Sequence, residues 1–84
     1  MKLRTIIGET EKHEVEMEQN WLGKRKVTVD GDDIIDKWEA FSFNKTVRLG
    51  LGDEEKHELR IKFGKGISGQ KIDLYVDGKL AAKA

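Results

Sequence analysis

His13-Glu14-Val15-Glu16-Met17-Glu18 alternates with a period of two, apolar side chains against glutamates. Alternation of this kind puts Val15 and Met17 on one face of a β-strand and three carboxylates in water. The next run, Lys24-Arg25-Lys26-Val27-Thr28-Val29, repeats the pattern with Val27 and Val29 inside. Paired as a hairpin around Trp21, the two runs set Glu18 opposite Lys24 and Glu16 opposite Lys26. Opposite charges facing across a strand pair contribute a few tenths of a kcal/mol each. Charge and hydrophobicity therefore favour the same pairing.

The same grammar continues along the chain. Phe41 and Phe43 alternate with Ala40 and Ser42, and Val47, Leu49 and Leu51 with Arg48 and Gly50. Leu59, Ile61 and Phe63 alternate with Glu58, Arg60 and Lys62, and Ile72, Leu74 and Val76 with Asp73 and Tyr75. Breakers stand between these runs: Asn44-Lys45, Gly52-Asp53, Gly64-Lys65-Gly66, Ser68-Gly69, and the dipeptides Asp30-Gly31 and Asp77-Gly78. Asp-Gly between alternating runs signals a two-residue hairpin, because a type I′ turn needs positive φ at both central positions. Only Ile34-Ile35-Asp36-Lys37-Trp38-Glu39-Ala40 has a helical look, and it is too short to convince. The chain thus reads as all-β, a compact antiparallel β-sandwich of about seven to eight short strands.

Composition bounds the rest. A chain of 84 residues makes one domain, spanning 1–84. Leu, Ile, Val and Phe form about 26% of it, enough to fold. Sixteen basic and sixteen acidic residues leave no global field to attract nucleic acid or a membrane surface. Cysteine is absent, which removes disulfides, thiolate catalysis and thiolate zinc sites, and suits a cytoplasmic setting. The opening Met1-Lys2-Leu3-Arg4-Thr5-Ile6-Ile7-Gly8 lacks the apolar run of a signal peptide. Many charged residues with few amides give a thermophile-like composition.

An internal echo accompanies the alternation. Lys12-His13-Glu14-Val15 resembles Lys56-His57-Glu58-Leu59, 44 positions later, and Val29-Asp30-Gly31 resembles Val76-Asp77-Gly78, 47 positions later. Two copies are too few for a solenoid. They suit two similar hairpins, one in each sheet of a sandwich.

Candidate chemistry is sparse. Asp30, Asp32, Asp33 and Asp36 form an acidic cluster, but counting from Asp30 places Ile34 and Ile35 where a calcium loop needs a ligand and a glycine. The cluster reads as a solvated turn, and no metal or other cofactor is expected. His13 and His57 share the parity of the apolar residues, so both should sit at the core margin, bonded to a backbone carbonyl. Neither Ser42 nor Ser68 lies in a Gly-x-Ser-x-Gly elbow, so no catalytic residue is assigned. Gly64–Gly69 resembles a phosphate loop only superficially, since it leads into a strand rather than a helix. Asn20-Trp21-Leu22-Gly23 places two large apolar side chains at a hairpin tip, and an exposed tryptophan is a frequent interface anchor. Trp21 and Leu22 are therefore the expected interaction residues.

The order of these motifs is itself informative. The His-x-Val-x-Met strand, Gly23-Lys24-Arg25-Lys26-Val27-Thr28-Val29-Asp30-Gly31, then Ile34, Trp38 and Phe41, and finally Leu74-Tyr75-Val76-Asp77-Gly78-Lys79 resemble the Fas apoptotic inhibitory molecule family. The likeness runs from about His13 to Leu80. It implies an all-β domain without an enzymatic residue set, acting through protein contacts; the animal members carry two such units. The expected function is a non-catalytic protein-interaction domain, bound to a protein partner or to itself. The alternative is a sandwich that takes an anion, sugar or lipid at its loop end.

Overall fold

Eight strands follow one another in the computed structural model, which describes residues 1–20, 24–38, 45–66 and 69–84. They are β1 (Lys2–Ile7), β2 (His13–Gln19), β3 (Lys24–Val29), β4 (Asp32–Trp38), β5 (Lys45–Leu51), β6 (His57–Gly66), β7 (Gly69–Val76) and β8 (Lys79–Lys83). Each half of the chain forms its own antiparallel sheet: β1-β2-β3-β4 is sheet A and β5-β6-β7-β8 is sheet B. No helix among the described residues is long and apolar enough to cross a membrane.

Inward residues of both sheets make one core. Val15, Met17 and Val27 of sheet A and Leu59, Ile61, Phe63, Ile72 and Leu74 of sheet B are almost completely buried. Ile7, Val47 and Leu51 join them, with Val29, Leu49 and Val76 partly buried against the cluster. The parity read from the alternation holds throughout. Phe41 and Phe43, expected inside, lie outside the described residues. The segment with a helical look is the strand β4 as far as Trp38, an outer strand whose extended backbone pairs with β3.

Pairing of β2 with β3 corrects the expected register. Glu18 faces Lys26 and Glu16 faces Thr28, two residues beyond the anticipated alignment. A two-residue slip keeps every side chain on its face, so alternation alone cannot detect it. The loop sets it instead: the Asn20 N–H donates to the Lys24 carbonyl (3.0 Å) and the Lys24 N–H to Asn20 Oδ1 (3.0 Å).

The internal echo is a structural repeat. β1 to β4 correspond to β5 to β8 in order and direction. Asp30-Gly31 and Asp77-Gly78 turn with φ of 52° and 86°, and of 51° and 85°. Each final strand carries a bulge, with Ile34 and Ala81 as the extra residues. Where sheet B sets Phe63 opposite Ile72, sheet A sets Gln19 opposite Arg25. Both polar residues are buried. Arg25 Nε donates to Gln19 Oε1 (2.9 Å), Gln19 Nε2 donates to the Gly64 carbonyl (3.2 Å), and the guanidinium lies 5.8 Å from the Phe63 ring centre. Gln19→Leu takes that acceptor from a buried donor and is expected to cost about 2 kcal/mol in urea unfolding.

Candidate functional site

His13, His57 and Asp30, singled out by the sequence, gather where the loop after β1 meets the loop after β5. Gly8 and Gly52 start these loops at φ of 107° and 94°. Each loop turns so tightly that a Cβ on its glycine would lie 2.0 Å from the carbonyl oxygen of Glu11 or Glu55. That curl points successive backbone N–H groups outward, towards the opposite sheet. The Glu55 carboxylate accepts the N–H groups of Glu9 (3.0 Å), Thr10 (2.7 Å) and Glu11 (3.4 Å). Reciprocally, the Glu11 carboxylate accepts those of Asp53 (2.9 Å) and Glu54 (2.9 Å). Each sheet lends a carboxylate to the other's loop.

A histidine backs each exchanged glutamate. His13 Nε2 lies 2.5 Å from Glu11 Oε2, and its Nδ1 lies 2.6 Å from Asp30 Oδ2. Asp30 in turn accepts the Glu14 N–H at 2.9 Å. His57 repeats the arrangement with Glu55 (2.5 Å) and Asp77 (2.6 Å), and Asp77 accepts the Glu58 N–H at 2.9 Å. A ring with a carboxylate at each nitrogen must donate at both, so each imidazole is held as the cation.

The electrostatics follow from these contacts. Hydrogen bonds from the Glu54 amide, His13 and the Asp53 amide hold the Glu11 carboxyl at about 2, well below its ordinary value of 4.5. The Glu55 carboxyl is likewise held at about 2, by His57 first and then by the Thr10 and Glu9 amides. His13 is raised, chiefly by Asp30 and Glu11, and His57 chiefly by Glu55 and Asp77. Asp30 is lowered by His13 and the Glu14 amide, and Asp77 by the Glu58 amide and His57.

Chemically this is a clasp between two sheets. A catalytic histidine keeps one nitrogen for the proton it moves, whereas both nitrogens of each ring here face carboxylates. The carboxylates sit at opposite nitrogens, so the three groups do not converge on a point, and no group of described residues is arranged to hold a metal ion. The histidines do lie at the core margin, as expected, but their partners are carboxylates rather than backbone carbonyls. Asp30 leaves the supposed acidic cluster for the clasp, while Asp33 faces Lys26 (3.5 Å) and Thr28 Oγ1 (3.4 Å) on the sheet surface. β6 and β7 of the glycine-rich stretch close at the pair Gly66 and Gly69. Trp21 and Leu22, the expected interaction residues, lie outside the described residues, as do Ser42 and Ser68.

Sequence reasoning missed Glu11, Glu55 and Asp77 as partners. The signal was available in the echo, which extends upstream as Gly8-x-x-Glu11-Lys12-His13-Glu14 and Gly52-x-x-Glu55-Lys56-His57-Glu58. Beside the second histidine an open hollow of about 570 Å³ is lined by Arg48, Leu49, Gly50, Lys56, His57 and Glu58. No family model, no curated protein and no solved structure matches the chain.

Proposed function

We propose that this chain is a non-catalytic protein-interaction domain of the cytoplasm, as its sequence resemblance to the Fas apoptotic inhibitory molecule family implies. The observation that supports this reading is the closed clasp. Both rings spend both nitrogens on carboxylates, and Glu11 and Glu55 spend theirs on backbone amides as well. The acid–base groups at this site therefore join sheet to sheet, and what the domain offers a partner is surface.

A second reading has one favouring observation. The hollow beside Gly50 could seat a small anion between Arg48 and Lys56, although Glu58 on its rim opposes one. Native mass spectrometry of the tagged protein, recovered from lysate at graded salt, separates the two. A protein partner in stoichiometric amount is expected. A retained small molecule without protein overturns the first reading in favour of the second.

A further inference from the structure

The two outer faces of the sandwich carry different charge patterns, and the repeat makes each a control for the other. On sheet A the outward cation Arg4 stands opposite Glu16, and Arg4 Nη2 lies 2.9 Å from Glu16 Oε2. Lys2 contacts Glu16 (3.3 Å) and Glu18 (3.8 Å), and Lys26 contacts Asp33 (3.5 Å). At the corresponding positions of sheet B, 44 residues on, arginine is kept as Arg48 while Glu16 and Glu18 are replaced by Arg60 and Lys62. Arg48 now stands directly opposite Arg60. None of Arg48, Arg60 and Lys62 has an ion-pair partner among the described residues; Lys71, with Asp73 at 3.3 Å, does.

Like charges facing across a strand pair oppose folding. Arg60 adds to that cost, because its Nε is buried without a hydrogen-bond partner. What the fold supplies instead is position. Arg60 lies 4.7 Å and Lys62 5.2 Å from the centre of the Tyr75 ring, and cation–π attraction holds both heads beside that ring. Bare positions flank this row. Gly50 leaves the hollow beside Arg48 open, and Gly64 floors a second hollow of about 280 Å³ between Thr46, Lys62 and Tyr75.

We propose that the outer face of sheet B, from Arg48 across Arg60 to Lys62 and Tyr75, docks an extended acidic segment of a partner protein. This rests on the interaction reading above and names the partner's chemistry. Arginine forks take carboxylates in bidentate fashion. An extended segment carries alternate side chains on one face about 6.8 Å apart, a spacing that suits Arg60 and Lys62, two positions apart on β6. Glu58 stands on the same face opposite Gly50, and Asp73 directly opposite Lys62, so carboxylates limit the patch on both sides. The favourable field is therefore short, and the chain as a whole is neutral. A few carboxylates fill such a patch, whereas nucleic acid draws its affinity from a longer track of phosphate contacts.

The test uses the full chain and a fluorescent peptide of alternating glutamate and threonine, read by anisotropy at graded salt. Arg60→Glu restores on sheet B the cross-strand pair found on sheet A, so its melting temperature should equal or exceed that of the parent. Its peptide affinity should fall about tenfold or more, since one attraction becomes a repulsion. Arg4→Glu, on the other outer face, should leave affinity unchanged. Equal losses for both variants, or equal binding of an alternating lysine and threonine peptide, would overturn the proposal. Tighter binding of oligothymidylate than of the acidic peptide would overturn it in favour of nucleic acid. Lysate protein retained equally by the parent and by Arg60→Glu would leave the interaction reading standing and remove this face from it. Peptide binding by a parent that retains no lysate protein would do the reverse.

Discussion

Gly8→Ala and Gly52→Ala are each expected to cost about 3–5 kcal/mol, much of the ~4–13 kcal/mol available to a domain of this size. Two penalties combine. Alanine at φ of 107° or 94° is strained before any contact is considered. Its Cβ would also lie 2.0 Å from a carbonyl oxygen of its own loop, and within 3.1 Å of Glu55 Oε2 at Gly8 or 2.8 Å of Glu11 Oε2 at Gly52. The loop must open, and the amides aimed at the opposite sheet lose their aim. Gly31 and Gly78 provide the comparison, with positive φ but open space around a built Cβ, so alanine there should cost only about 1 kcal/mol. Gly50→Ala, open and at ordinary φ, should stay within about 0.5 kcal/mol of the parent. Urea unfolding of the five variants ranks them. If Gly8→Ala costs no more than Gly31→Ala, the loops yield without disturbing the clasp and their close fit has no energetic weight.

The melting temperature should be highest between about pH 4.5 and pH 6.5, the ordinary values of glutamate and histidine, and should fall on both sides. The acid limb comes from Glu11 and Glu55, whose carboxyls are held at about 2 in the fold. A lowered carboxyl stabilises fully above its unfolded value and loses that contribution as pH falls through its folded one. Asp30 and Asp77, lowered from 3.8, act in the same sense. The alkaline limb comes from His13 and His57, which are raised from 6.5. A raised histidine stabilises fully below its unfolded value, and the contribution disappears as pH rises through its folded one. Once a ring loses a proton, one of its two carboxylates faces a lone pair. Thermal scans followed by circular dichroism across this range test the scheme, with Glu11→Gln and Glu55→Gln expected to flatten the acid limb. A melting temperature that stays level above pH 6.5 would show that the rings are not held as cations.

The strands were legible because their inward residues obey one period. His13 to Glu18 already places Val15 and Met17 in the core, and Leu59 to Phe63 and Ile72 to Val76 do the same for sheet B. Both Asp-Gly turns were legible too, since their backbone demand is local. β4 was less so: Ile34-Ile35 interrupts the alternation at the bulge, where one residue has no partner opposite. The β2–β3 register was not legible, because a slip of two residues preserves parity and still sets Glu18 opposite a lysine.

Local chemistry in the chain determined the all-β class, the inward faces, the two Asp-Gly turns and the repeat that divides the chain into similar halves. Each depends on residues a few positions apart, or on a comparison of one stretch with another. Only the tertiary structure decided that His13 and His57 each sit between two carboxylates in a clasp, that the Glu11 and Glu55 carboxylates reach the opposite sheet's loop, and that Arg48 faces Arg60. The clasp joins Glu55 to amides of the loop starting at Gly8, 44 to 46 positions away. A carboxylate's partners are set by which loops the packed sheets bring together, and no periodicity in the chain encodes that meeting.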